Sequence, residues 1–61
     1  MNNYRNKTYI SKIQNMLYRI DNDGFVEVAF TPLIDTWYKS LNKENIIIDW
    51  IKNRFLFEYE V

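Results

Sequence analysis

A chain of 61 residues with eight Lys or Arg against eight Asp or Glu carries no net charge, so no global field draws it to nucleic acid or to an anionic membrane. It contains neither cysteine nor histidine, which excludes disulfides, thiolate or imidazole zinc sites and any Ser–His or Cys–His pair. Its lone glycine excludes glycine-rich phosphate cradles such as the Walker-A and dinucleotide-binding loops.

Residues 1–6 are polar and are expected to fray, with Asn6 or Thr8 as helix N-caps. Over residues 8–20, Tyr9, Ile10, Ile13, Met16, Leu17 and Ile20 fall within an arc of roughly 120° at helical spacing. That period predicts an amphipathic helix, with Tyr18 as the one apolar residue off the stripe. Asp21-Asn22-Asp23-Gly24 is a turn signal, with glycine where a positive φ is needed. The same turn is also compatible with a β-hairpin joining residues 16–20 to 25–30. Three apolar residues in succession, Met16-Leu17-Tyr18, break strand alternation and favour the helix.

Residues 25–30, FVEVAF, are β-branched and aromatic and read as a strand. Thr31-Pro32 has the form of a helix start, and Leu33, Ile34, Trp37, Tyr38 and Leu41 then mark one helical face up to Asn42. Residues 44–53 hold Ile46, Ile47, Ile48, Trp50 and Ile51, apolar over most of a helix's circumference; the β-branched triplet leaves a strand as the alternative. Residues 55–61 alternate, placing Phe55, Phe57, Tyr59 and Val61 on an inner face and Leu56, Glu58 and Glu60 on the outer one. The expected fold is a single α+β domain over residues 1–61, in the order α-β-α-α-β, with helices on one face of a short antiparallel sheet.

A domain this small buries only about 60% of the surface of its unfolded chain, and without disulfide or metal a partner surface is the remaining source of cohesion. Two Trp, four Phe and five Tyr are more ring surface than one small core encloses. Tyr18, Tyr38, Trp50 and Leu56 are the apolar residues this reading places outside the core, and they form the candidate partner-binding patch. Arg5, Lys12 and Arg19, seven residues apart, would line up on the first helix about 10.5 Å from one another. Such a strip neutralises only three or four phosphates, which makes a monomer a weak nucleic-acid binder.

Two pairs of carboxylates, Asp21/Asp23 and Glu58/Glu60, lie on a turn and on a strand face, where solvated surface charge explains them. Asp21–Gly24 also lacks the spaced ligands of a calcium loop. No catalysis, cofactor or metal is therefore expected. No stretch reaches the length of a membrane span and no signal-peptide core begins the chain, so a cytoplasmic location is expected. The leading functional expectation is a non-enzymatic protein-interaction module, acting on another protein and pairing with itself as a homodimer. In size and in its Asn-, Ile-, Lys- and Tyr-rich composition it is similar to small accessory proteins of phages and mobile elements that inhibit host enzymes or defence complexes. A nucleic-acid-binding regulator and a structural homo-oligomer subunit are the alternatives.

Overall fold

The computed structural model describes residues 3–30 and 33–59. In chain order it comprises β1 (Lys7–Ser11), β2 (Met16–Ile20), β3 (Val26–Phe30), β4 (Leu33–Lys39), α1 (Glu44–Lys52) and β5 (Leu56–Glu58). The strands form one antiparallel sheet in the spatial order β4-β3-β2-β1-β5. Four strands run as a meander, and α1 then carries the chain back across the sheet to set β5 beside β1. The expected α-β-α-α-β order is therefore wrong: two of its three helices are strands.

The region expected to be the first helix is the β1–β2 hairpin, with Tyr9 opposite Tyr18 and Ile10 opposite Leu17. Residues 12–15 turn the chain, with Asn15 at φ 52° and the Ser11 hydroxyl accepting the Gln14 amide at 3.3 Å. Asn tolerates the left-handed region that such a turn requires. The Met16-Leu17-Tyr18 triplet fits a strand because both faces of β2 are covered. Tyr18 and Ile20 face α1, together with Tyr9, Val26, Ile47 and Leu56. Leu17 points to the other face and is still only 1% exposed, as is Ala29 beside it at 0%. A strand buried on both sides loses its polar alternation and can mimic helical spacing.

Asp21-Asn22-Asp23-Gly24 closes the β2–β3 hairpin. The Asp21 carboxylate accepts the Asp23 and Phe25 amides at 2.9 Å each, and Gly24 sits at φ 89°. β4 replaces the second expected helix: Ile34, Thr36, Trp37 and Tyr38 are strand-forming types, and i, i+4 spacing alone does not make a helix. Its register against β3 slips between Val28↔Tyr38 and Phe30↔Leu33, so four residues of β4 span a gap that one residue spans on β3. The Thr31-Pro32 start lies outside the described residues, as do Glu60 and Val61. The N-cap of α1 is Lys43, whose side chain makes no capping bond. Likewise Asn6 and Thr8 cap nothing; Asn6 is at φ 62° and Thr8 lies within β1.

α1 ends in a Schellman motif. The Phe55 amide bonds the Trp50 carbonyl at 2.9 Å, the Arg54 amide bonds the Ile51 carbonyl at 3.1 Å, and Arg54 takes the left-handed position at φ 64°. In β5 the expected faces are reversed. Leu56 is in the core and Phe57 faces away from α1, because pairing Ser11 with Leu56 puts Leu56 on the side of Tyr9 and Ser11.

Two stability measurements follow. Leu17→Ala should cost about 2–4 kcal/mol, enough to unfold a marginal domain, by the loss of a well-packed core side chain; urea denaturation checks it, and a cost under about 0.5 kcal/mol would contradict two-sided burial. Arg54→Gly should stabilise by roughly 0.5–1 kcal/mol, because glycine takes the left-handed position without a Cβ clash.

Candidate protein-binding surface

The geometry of this surface follows from widths. Five strands spaced about 4.8 Å apart span roughly 19 Å between edge axes, whereas a helix with its side chains is about 10–12 Å across. One helix cannot cover five strands. α1 starts near the β2–β3 turn, where Glu44 meets Arg5 and Gly24, and ends near the β1–β2 turn, where Trp50 approaches Ser11 and Gln14. It thus runs lengthwise over β5, β1 and β2, and its Ile47 reaches the centre of the core. The helix side of β4 and of the Phe30 end of β3 is left open, while Val26 at the other end of β3 joins the core.

Cross-strand register shows what lies there. One row across the sheet reads Glu58, Tyr9, Tyr18, Val28, Tyr38; the next reads Leu56, Ser11, Met16, Phe30. From β1 toward β4 burial decreases along each row. Tyr18 and Leu56 are in the core, Val28 and Met16 pack against it, and Tyr38 and Phe30 are 54% and 50% exposed. Tyr38 and Phe30 stack edge to face with centroids 6.4 Å apart. Trp50 meets Tyr18 in the same manner at 5.8 Å. Such pairs hold rings in place beyond what burial alone does.

At the β1–β2 turn the open face runs into a half-open cavity of about 170 Å³ between α1 and the sheet, lined by Ser11, Ile13, Gln14, Tyr18, Trp50, Phe55 and Leu56. Phe55, held beside Trp50 by the Schellman turn, is 54% exposed at its rim, and Ile13 is 83% exposed at the tip of the adjoining turn. Among the described residues, those that build this surface, from Phe55 through Met16 to Tyr38, carry no formal charge. Depletion of charge with enrichment in rings and Met is the composition of an interface centre.

Of the four residues that the sequence placed in an apolar patch, Tyr38 is exposed here and Trp50 lines the cavity. Tyr18 and Leu56 instead form the floor as core residues, because their strands pair in a register that turns them toward α1. Phe30, Phe55 and Ile13 were not singled out, although hairpin pairing at Asp21–Gly24 would have put Phe30 beside Met16.

The basic strip loses its geometry with the helix that aligned it. Arg5 is at the opposite end of the sheet from Lys12, bound to Glu44 through Nε at 2.7 Å and Nη2 at 3.0 Å, and that bond pushes its guanidinium further above the ordinary value. Lys12 lies over the Phe57 ring at 4.6 Å. Arg19 pairs with Glu27 at 2.9 Å and lies over Trp37 at 4.1 Å, both on the face away from α1. That face is also organised in rows, with Phe57, Ile10, Leu17 and Ala29 aligned beside Thr8, Arg19, Glu27 and Lys39.

Among the described residues there is no group of three Asp, Glu, His or Cys able to hold a metal ion. No helix among them is long and apolar enough to cross a membrane. Neither a family model, nor a curated protein, nor a solved structure matches the chain.

Burial raises the Tyr18 phenol, and it raises Tyr9 to about 12, with smaller contributions from Glu58 and Tyr4; the Tyr9 hydroxyl donates to the Tyr4 carbonyl at 2.9 Å. An acid whose folded pKa lies above its unfolded value near 10 stabilises the fold fully below pH 10, and that contribution is lost as pH rises through about 12. Unfolding free energy should therefore fall between pH 10 and 12, and fall less steeply in Tyr9→Phe. Equal slopes for the two proteins in urea titrations would contradict the assignment.

Proposed function

We propose that the protein is a non-enzymatic protein-binding module that acts by laying the open, ring-rich half of its helix-bearing face on another protein. The observation that supports this reading is the continuity of the uncharged surface from Phe55 and Ile13 through Met16 to Phe30 and Tyr38. Single exposed apolar side chains are ordinary, but a contiguous set centred on aromatic rings and backed by a cavity is what a partner's side chain would enter. An inhibitor that occupies the surface of a host enzyme or defence complex in the cytoplasm, as small phage or mobile-element proteins do, is the biological role we assign to it. The absence of His and Cys from the sequence supports occupancy rather than chemistry.

Affinity capture from lysate of the source organism provides the test. The wild-type chain should retain one protein in stoichiometric amount, and Phe30→Asp/Tyr38→Asp should lose it while keeping the wild-type circular dichroism spectrum. Equal recovery by both chains would place binding elsewhere, and failure of the wild-type chain to retain anything would remove the reading.

A further inference from the structure

Taking that surface as the binding face, we infer that a second copy of this chain covers it when no target is bound, through reciprocal insertion of Ile13 into the cavity beside Trp50. Three observations carry the inference. The first is the match of knob and hole. An apolar cavity near 150 Å³ accommodates a benzene-sized group, and this one, at about 170 Å³, is of the size for one aliphatic or aromatic side chain. Ile13 itself forms one wall of the cavity mouth and is 83% exposed, on a turn held by the Ser11–Gln14 bond, so the Ile13 of a second copy would enter beside it. A protruding side chain adjacent to a hole of its own size is self-complementary under a two-fold axis. Each copy then supplies one knob and one hole, and the assembly closes at two.

The second observation is area. Phe30, Tyr38 and Phe55 are each about half exposed, which leaves roughly 100 Å² of ring surface apiece. With Ile13 and the partly covered Met16 and Trp50, the apolar surface comes to roughly 400–500 Å². A standard interface buries about 800 Å² per partner, of which some 56–65% is apolar, so the open face supplies about what one copy of a stable dimer contributes. The third is charge. A two-fold axis sets like against like, so a self-pairing face must lack a dominant sign, and the described residues building this surface have no formal charge. Lys12, the cation next to Ile13, is turned onto Phe57 on the other side of the sheet.

In this arrangement target binding and self-pairing compete for the same rings. Sedimentation of the intact chain from low to high micromolar concentration tests the inference. The wild-type chain should pass from monomer to dimer without larger species, Ile13→Asp should stay monomeric with an unchanged circular dichroism spectrum, and Ile13→Leu should retain the dimer. Because the chain has no cysteine, a mixture of Ile13→Cys and Phe55→Cys chains should, on oxidation, give a disulfide between position 13 of one chain and position 55 of the other. A wild-type chain that is monomeric throughout, a dimer that survives Ile13→Asp, or open-ended association would overturn it. A monomer that still captures a target through Phe30 and Tyr38 would overturn the self-pairing alone and leave the proposed function standing.

Discussion

The structure depends on a mismatch between one nine-residue helix and a five-stranded sheet. α1 must close the core, and through Ile47 it does so over Tyr9, Tyr18, Ile20, Val26 and Leu56. A single helix reaches β3 only at Val26 and has no width left for Phe30 or for β4. The described residues hold no second helix and the chain has no cysteine for a disulfide with which to finish the enclosure, so Phe30 and Tyr38 remain in the open. The cohesion of the fold and its exposed rings are thus two results of the same shortage.

How that face is kept in shape is visible at its borders. The Schellman turn after α1 puts an arginine where glycine is ordinarily found, and in doing so directs Phe55 to the cavity rim beside Trp50. A non-glycine residue in the left-handed region is a local cost that persists only when its surroundings support it. At the other end, Arg5 ties residues ahead of β1 to Glu44 in the first turn of α1, where a carboxylate also complements the helix dipole. This pair, part-buried and bidentate, anchors the start of the helix over the sheet. The slipped register of β4 serves a different purpose: a bulged edge strand is a poor template for further strand addition.

Part of this was legible in the residues. Asp21-Asn22-Asp23-Gly24 announced a turn, residues 26–30 announced a strand, and residues 44–52 form the helix their apolar density suggested. The β1–β2 hairpin was hidden because Leu17 is buried on the face opposite Tyr18, which removed the polar alternation by which a strand is known. The second helix was mistaken because Trp37 and Tyr38 occupy helical spacing by coincidence, while their strand preference is realised only against β3. The candidate surface followed the same logic. Ring surplus predicted that rings would be left outside, but which rings depends on register. Reversal of the β5 faces moved Leu56 inward, and pairing of β2 with β1 moved Tyr18 inward.

Oxidative footprinting at submicromolar concentration, where self-pairing is dissociated, measures the central mismatch most directly. Phe30, Tyr38, Phe55 and Ile13 should be modified rapidly, and Tyr9 and Tyr18 slowly. If Tyr38 and Phe30 were as protected as Tyr18, the helix side of β4 and of the Phe30 end of β3 would be covered within the single chain, and the account would fail.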